Sequence, residues 1–334
     1  MISVKNLTKI YKVYRKTGNL IKDIFFRKYE DILALDKVSF EIGKNELVGF
    51  IGPNGAGKTT TLKILSGILY PTSGKVLVLG FSPFEKKEAF LKQISFVMGQ
   101  RNQLIWDLPA IDTFLLNKEI YELDEEKFKK NLQKLTAIFS AEKLIQKPVK
   151  MLSLGERMKM EFIAALLHQP KIIFLDEPTI GLDIFSQEAI RNFIKNYQKE
   201  FQATIILTSH YLEDVKRLAK RLIIINKGKI LYDGSLTTIL QKFSSVKYVS
   251  LILEKEVKKE VLFKIGKPIA YQFPKVVFRI QKKDLPQVVA YINDQIPYLD
   301  LVIEDEKIEE VIKNLFENHK DDDFVEKAHG VSLP

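Results

Sequence analysis

The feature that most constrains this sequence is a glycine-rich segment between an apolar run, residues 47–51, and a stretch of helical spacing, residues 61–67. The segment fits the pattern Gly-x-x-x-x-Gly-Lys-[Ser/Thr], in which backbone N–H groups and the start of the following helix converge on phosphate. Lys58 would add a charge at the β- and γ-phosphates, and Thr59 a hydroxyl for Mg²⁺. The pattern therefore predicts a nucleoside triphosphate site, whose candidate residues are Gly52, Asn54, Gly55, Ala56, Gly57, Lys58, Thr59 and Thr60.

Composition limits the remaining possibilities. A chain of 334 residues exceeds the size at which single cores stop growing, so we expect one large domain and a smaller one. The net charge of +10 permits nucleic acid or an anionic membrane as a partner, but the 52 basic and 42 acidic residues are spread along the whole chain. Cysteine is absent, which excludes disulfides and cysteine metal sites. We expect no signal peptide and no membrane span, so that any membrane crossing belongs to another chain.

Two apolar runs end in polar residues of the kinds that bind metal ions or act in catalysis. Residues 171–178 read as a buried strand that ends in Asp176 and Glu177, and residues 204–210 repeat the design and end in His210. Ligands collect outside the carboxyl ends of parallel strands, so we expect these side chains to face the glycine-rich loop. Asp176 could hold Mg²⁺ through water, Glu177 could polarise an attacking water, and His210 could lie near the γ-phosphate.

The middle of the chain changes from strand to helix. Residues 94–100 read as a strand that ends in Gln100, and helical spacing dominates from about residue 110 to residue 150. Ser153 and Gly155 then precede a helix over residues 158–168. A serine at a helix start offers a cap hydroxyl and free N–H groups to an anion, although taken alone it is also the signature of an ordinary helix cap.

The N-terminal arm contains an unusually long connection. Residues 2–7 and 36–42 alternate as paired strands do, and about thirty residues separate them, far more than a usual connection. We favour Tyr11 as an aromatic face for adenine because it directly follows the first strand, while a plain core or surface tyrosine remains open. Residues 12–28 combine basic side chains with apolar ones at helical spacing, which indicates either an interfacial or partner-docking helix, or a hairpin or helix packed on its own domain.

Together these motifs resemble the ATP-binding subunit of an ABC transporter over roughly residues 1–240. By that resemblance, residues 52–59 match the P-loop, Gln100 the metal-contacting glutamine loop, and residues 152–156 the signature Leu-Ser-Gly-Gly-Gln. Residues 172–176 match the magnesium-binding strand, Glu177 the catalytic carboxylate, residues 181–183 the aspartate loop, and His210 the switch histidine. Leu154 departs from the glycine of the pattern, and Gly99 is an extra residue before Gln100 that leaves Gln103 as an alternative.

The resemblance implies a shared active site. Two such subunits face each other head to tail, so Ser153, Gly155, Glu156 and Asp183 would act on the nucleotide of the other subunit. It implies ATP and Mg²⁺ as cofactors, and a second copy or a related ATPase subunit as one partner. The runs 99–104 and 152–157 look most like subunits that pair with a separate integral membrane permease of the exporter branch. We therefore expect a peripheral protein at the cytoplasmic face of the membrane, without a nucleic acid partner.

The predicted fold class is α/β, a P-loop ATPase core with an inserted helical subdomain, followed by a small α+β domain. We expect an ATP-binding domain over residues 1–243, with the helical subdomain at about 110–168, and an accessory domain over residues 244–318. Within the latter, residues 248–253, 276–280 and 299–303 read as strands, and 285–296 and 308–316 as helices. Regulatory, dimer-bracing and structural roles are open for it. Residues 319–334 read as a flexible tail.

Two other functions are alternatives to transport. A non-transport ABC ATPase that acts on DNA or the ribosome fits the basic charge, but the chain carries one ATPase core rather than two in tandem and no long coiled-coil interruption. A P-loop kinase or GTPase would leave the signature and His210 unexplained. The transported substrate is not readable, because in such systems the permease selects it.

Overall fold

The structure is a computed structural model that describes residues 1–15, 28–99, 102–209 and 211–318. The chain divides into two compact units, Met1–Gly234 and Ser235–Pro334. Gln100, His210, most of the basic insert and the expected tail lie outside the described residues. No helix among the described residues is long and apolar enough to cross a membrane.

Strands and helices alternate through the first unit. Its strands are β1 (Ile2–Arg15), β2 (Lys28–Ile42), β3 (Leu47–Ile51), β4 (Ser73–Val78), β5 (Ile94–Met98), β6 (Ile172–Asp176), β7 (Thr204–Thr208), β8 (Arg221–Asn226) and β9 (Lys229–Ser235). Its helices are α1 (Lys58–Leu65), α2 (Glu88–Leu91), α3 (Ala110–Ile120), α4 (Glu125–Phe139), α5 (Leu154–Leu166), α6 (Ile184–Phe201) and α7 (Leu212–Leu218).

The central sheet has the strand order β5-β6-β7-β3-β8-β9. Its strands β5, β6, β7, β3 and β8 pair in parallel. β3 and β7 are buried at every position, as expected of a parallel sheet covered on both faces. This confirms the predicted α/β core. It also places the carboxyl ends of β6, β7 and β3 side by side, at the edge where the glycine-rich loop begins.

The second sheet, with the order β2-β1-β4, fits the hairpin alternative for the N-terminal arm rather than the helix. β1 and β2 pair antiparallel as predicted, from Ile2 opposite Ile42, but the pairing continues to Arg15 opposite Lys28. β4 pairs only with the first part of β1, so the outer part of β1 and β2 is a two-stranded ribbon. A helix over residues 12–28 is therefore wrong at both of its ends, because cross-strand pairing prevails there; residues 16–27 lie outside the described residues.

The second unit is a small α+β domain. It contains α8 (Leu236–Phe243), β10 (Val246–Leu253), α9 (Lys259–Phe263), β11 (Ala270–Gln272), β12 (Lys275–Gln281), α10 (Leu285–Gln295), β13 (Tyr298–Asp305) and α11 (Ile308–Asn318). The order β-α-β-β-α-β from β10 to β13, with the antiparallel sheet β11-β12-β10-β13, is the ferredoxin-like arrangement. α8, expected to close the first domain, belongs to this unit and packs against α11. The short α9 and β11 were not predicted.

His168 joins the helical subdomain to the central sheet. Its buried ring stacks on Tyr121, which caps α3, with 3.8 Å between the ring centroids. Its Nε2 lies 3.0 Å from the carbonyl oxygen of Ile94 at the start of β5. Burial lowers the pKa of His168 from 6.5 to about 4, because the charged ring would lose its solvation.

The low pKa of His168 predicts a specific acid sensitivity. Since the unfolded chain binds the proton near pH 6.5 and the folded chain near pH 4, stability is lost as the pH falls through that interval. Over the whole interval the free energy of unfolding would fall by about 3 kcal/mol. Denaturant unfolding, followed by the fluorescence of Trp106, the single tryptophan, should show a smaller loss between pH 6.5 and 4 in His168→Phe than in wild type. Equal losses would contradict the assignment.

Candidate functional site

The glycine-rich loop connects β3 to α1 in a conformation that depends on Gly57. Gly57 caps α1 with a φ of 109°, in the left-handed region. A Cβ there would lie 2.6 Å from Leu35 Cδ2 and 2.8 Å from the carbonyl oxygen of Ala34, so β2 leaves no room for a side chain. The close approach of β2 fixes the loop where the N–H groups of α1 begin, which is the geometry of a phosphate site.

Lys58 lies over this loop. Its Nζ donates hydrogen bonds to the carbonyl oxygens of Gly52, at 2.7 Å, and Pro53, at 3.1 Å. Burial lowers the pKa of Lys58, and the negative charges of Glu177 and Asp176 act in the opposite direction. The cation is thus confined between the loop and two carboxylates, close to where the phosphates of a bound nucleotide would lie.

Asp176 is the meeting point of three segments. Its Oδ1 accepts hydrogen bonds from Thr59 Oγ1 of α1, at 3.1 Å, and from Thr208 Oγ1 of β7, at 2.6 Å. Hard oxygen donors of this kind fit Mg²⁺, which keeps water and phosphate oxygens in its other positions. No group of three or more His, Asp or Glu side chains among the described residues could hold a metal ion alone. The Thr59 hydroxyl and the Asp176 carboxylate are therefore the groups of this site that fit Mg²⁺.

Glu177 follows with a strained backbone. Its φ is +55°, a left-handed conformation that costs a non-glycine residue about 1–2 kcal/mol. Its N–H donates to the carbonyl oxygen and to the Oγ1 of Thr208, both at 3.1 Å. The end of β7 therefore holds the Glu177 backbone in a conformation that the chain alone would not favour, as is common at functional sites.

The glutamine loop is anchored at both of its described ends. Gly99 N–H donates to the carbonyl oxygen of Asp176 at 3.0 Å. Gln103, the alternative to Gln100, donates its side-chain amide to the carbonyl oxygen of Phe96 in β5, at 2.7 Å, so that amide serves to anchor the loop. Gln100 itself lies outside the described residues.

Glu161 of α5 is a residue that the sequence interpretation missed. Its buried carboxylate accepts the N–H groups of Gln103, at 3.0 and 3.1 Å, and of Leu104, at 3.4 Å. Burial raises the pKa of Glu161, and the two backbone donors partly offset that effect. A glutamate within an amphipathic helix carries no sequence signal for such a contact.

Tyr11 lies next to the loop, in β1. Its hydroxyl is 3.3 Å from Thr60 Oγ1, and Lys9 Nζ lies 5.2 Å from the centre of its ring. Tyr14 instead meets Tyr29 across the ribbon, with 6.1 Å between the ring centroids. Of these tyrosines, Tyr11 is the one that the structure places against α1.

The signature segment forms a capping box. Ser153 Oγ accepts from the N–H of Glu156, and the Glu156 carboxylate accepts from the N–H of Ser153. This second bond is the main reason that the pKa of Glu156 is lowered. Because the cap is complete, α5 begins at Leu154, before the start expected from the apolar spacing.

The aspartate loop packs directly on this helix start. A Cβ on Gly155 would lie 2.2 Å from Ser186 Oγ, so only glycine permits the contact. Ser186 in turn donates its hydroxyl to Asp183, which caps α6 and whose pKa is lowered mainly by that bond. Beside them, Ile184 and Phe185 are 78% and 87% exposed. The signature and the aspartate loop thus form one continuous surface.

Comparison with known proteins agrees with this geometry. Residues 35–180 match the family model described as ABC transporter. The chain is 33% identical over 219 residues to the ABC transporter ATP-binding protein NatA of Bacillus subtilis (strain 168), covering 64% of this chain and 89% of the relative. The chain belongs to the ATP-binding subunits of ABC transporters. As such a subunit it binds ATP and is an ATPase.

Two further similarities bear on this ABC ATPase. It is 32% identical over 216 residues to the bacitracin transport ATP-binding protein BcrA of Bacillus licheniformis, covering 65% of this chain and 68% of the relative. A solved dimeric ATP-binding cassette in a post-hydrolysis state, bound to ADP and Pi, superposes with a TM-score of 0.60 at 26% identity. That similarity covers 71% of this chain and 99% of the solved one.

The position of Lys58 predicts its effect on nucleotide affinity. Lys58→Ala removes the cation above the loop, and since hydrogen bonds to charged groups contribute roughly 1.5–3 kcal/mol, ATP should bind about 10- to 100-fold more weakly. Titration with a fluorescent ATP analogue measures this. Lys63→Ala, at the last turn of the same helix, is the matched control and should bind as wild type does. Equal affinities of all three proteins would remove Lys58 from phosphate binding.

Proposed function

We propose that this ABC ATPase is the motor subunit of an exporter, peripheral to the cytoplasmic face of the membrane, which couples ATP hydrolysis to substrate movement through a separate permease. The observation that carries the proposal is the convergence of Thr59, Asp176 and Glu177 beside the P-loop. The resemblance of residues 152–156 to the ABC signature implies that the signature of another subunit completes this site. The name of the bacitracin transport relative supports a role in transport.

Each part of the site has a chemical role in this proposal. Lys58 and the loop N–H groups bind the phosphates, and Tyr11 stacks on adenine. Thr59, Asp176 and Gln100 would hold Mg²⁺, which neutralises phosphate charge when it is bound. Glu177 orients and polarises the attacking water from a backbone that β7 holds in place. His210, next to Ser209 in the sequence, would contact the γ-phosphate.

The partner in the dimer is a second copy or a related ATPase subunit. Ser153, Gly155 and Glu156 present the start of α5 next to Asp183, where the exposed side chains of Ile184 and Phe185 add an apolar surface. Exposed apolar clusters of this kind favour burial against protein. The solved dimeric cassette supports the same assembly.

A second exposed apolar surface supports the permease as the other partner. The docking surface consists of Ile105, Trp106, Leu108, Leu116 and Ile120, each between 41% and 57% exposed. The N–H of Ile105 donates to Thr113 of α3, which places the loop beside the helix that carries the last two residues. A tryptophan within an apolar patch is typical of a binding hot spot.

The role of Glu177 can be tested in the isolated protein. Glu177→Gln keeps the shape of the side chain but loses its basicity, so hydrolysis should fall by about 10² or more while ATP binding is retained. With ATP and Mg²⁺ the variant should accumulate as a dimer in size-exclusion chromatography. Asp112→Asn, an acid-to-amide change in the first turn of α3, is the control. Near-normal turnover of Glu177→Gln would exclude Glu177 as the base.

The docking surface predicts the class of membrane partner. Affinity-tagged wild-type protein should recover a multi-span membrane protein from membranes of its native cells, identified by mass spectrometry. Leu116→Asp should lose that protein and keep ATP binding, because a charge is introduced into the apolar contact. Leu299→Asp makes the same change at a leucine that is 70% exposed in the second unit, and should behave as wild type. Recovery of ribosomes or nucleic acid in place of a membrane protein would favour the non-transport alternative.

A further inference from the structure

Asp214 is a fully buried carboxylate with no role in the mechanism so far. It lies in the first turn of α7 with 0% exposure. Its Oδ1 accepts from Arg191 Nε at 2.6 Å, and its Oδ2 accepts from Thr179 Oγ1 at 2.5 Å and from Ser209 Oγ at 2.6 Å. These three partners are themselves 7% exposed or less. A buried carboxylate without hydrogen-bond donors would strongly destabilise the fold, so the three donors are what allows Asp214 to be buried.

The three donors come from three segments that lead to the nucleotide site. Thr179 lies two residues after Glu177, and the Ile180 N–H donates back to the carbonyl oxygen of Glu177 at 3.2 Å. Ser209 directly precedes His210, and its Oγ also accepts the N–H of Tyr211 at 2.9 Å, so one hydroxyl spans that position in the chain. One carboxylate therefore fixes Thr179, two residues after Glu177, and Ser209, whose hydroxyl also accepts the N–H of Tyr211.

Arg191 brings in the third segment. It lies on α6, two turns after the Asp183 cap, and its guanidinium also donates to Gln187 Oε1 at 2.9 Å and to Glu188 Oε2 at 3.4 Å. Helix α6, which follows the aspartate loop, is thus connected through Asp214 to Thr179, two residues after Glu177. Asp214 itself contacts neither Lys58 nor Thr59 in the hydrogen bonds of the described residues.

We propose that Asp214 is a positioning residue for ATP hydrolysis: it sets the Glu177 and His210 segments relative to each other and to the aspartate-loop helix, and it acts through Thr179, Ser209 and Arg191. Strain at Glu177 makes this support necessary, since a left-handed non-glycine residue relaxes when its surroundings loosen. Phosphate binding depends on the P-loop, which the network does not include. Loosening the network should therefore lower kcat and leave ATP affinity unchanged.

The experiment removes single donors, because Asp214→Asn would take from the buried Arg191 its 2.6 Å carboxylate partner, leave only Glu188 at 3.4 Å, and endanger folding. Thr179→Val and Ser209→Ala each delete one hydroxyl and keep the carboxylate–guanidinium pair. Each variant should lower kcat by about 10-fold or more, the scale expected when a catalytic group is displaced by a fraction of an ångström to 1 Å. The dissociation constant for a fluorescent ATP analogue should stay within twofold of wild type. The double variant should lose less than the product of the two single effects, because both act through one carboxylate.

Thr136→Val is the matched control. It removes the hydroxyl of another buried threonine, in α4, whose bond stays within its own helix. Its effect on the melting temperature should resemble that of Thr179→Val, while kcat and ATP affinity remain as in wild type. Folded Thr179→Val and Ser209→Ala proteins with wild-type kcat would overturn the proposal, and so would a parallel loss of kcat and ATP affinity. If Glu177→Gln is inactive while Thr179→Val and Ser209→Ala hydrolyse ATP as wild type does, Glu177 keeps its proposed role as the base. Only the positioning role of Asp214 is then rejected.

Discussion

The site depends on one carboxylate, Asp176, which accepts hydrogen bonds from Thr59 and Thr208. This geometry exists only because β6, β7 and β3 are neighbours in a parallel sheet, so that the end of each strand reaches the same edge. A different strand order would separate the P-loop from Asp176, the residue that we propose holds Mg²⁺. The apolar runs that specify these strands therefore also specify where phosphate and metal chemistry can occur, before any side chain at the site is considered.

Burial shifts the pKa values of the basic and the acidic groups near this site in opposite directions. It lowers the pKa of Lys58 and raises that of Glu161, because in both cases desolvation disfavours the charged form. Lys58 is compensated by the carboxylates of Asp176 and Glu177, and Glu161 by the backbone N–H groups of the glutamine loop. Each of these buried charges thus has a partner from a distant part of the sequence, which offsets part of the desolvation that folding imposes on it.

The sequence predicted best those features that local patterns encode. Continuous apolar runs gave β3, β6 and β7, and the serine cap marked the signature helix, because burial and capping leave their pattern within a few residues. The ribbon of β1 and β2 was left open between a hairpin and a helix, since its pairing, Arg15 opposite Lys28, joins segments whose spacing also suits a helix. α8 was assigned to the wrong unit because its partner, α11, lies far along the chain. Glu161 and Asp214 had no signal at all: their roles come from contacts that only the fold creates.

The contacts of α5 give a physical path between its two proposed interfaces. Ser153, Arg157 and Glu161 are four residues apart and so lie on one side of the helix. Ser153 caps the end that would face the second subunit's nucleotide, Arg157 lies 5.7 Å from the centre of the Trp106 ring, and Glu161 holds the loop before Trp106 by its backbone. A packed helix moves as a rigid body, so a displacement at its capped end must displace the loop that carries Trp106. If ATP closes two such subunits on each other, the docking surface receives that movement through side chains already in contact, and no unfolding or rearrangement of the core is required.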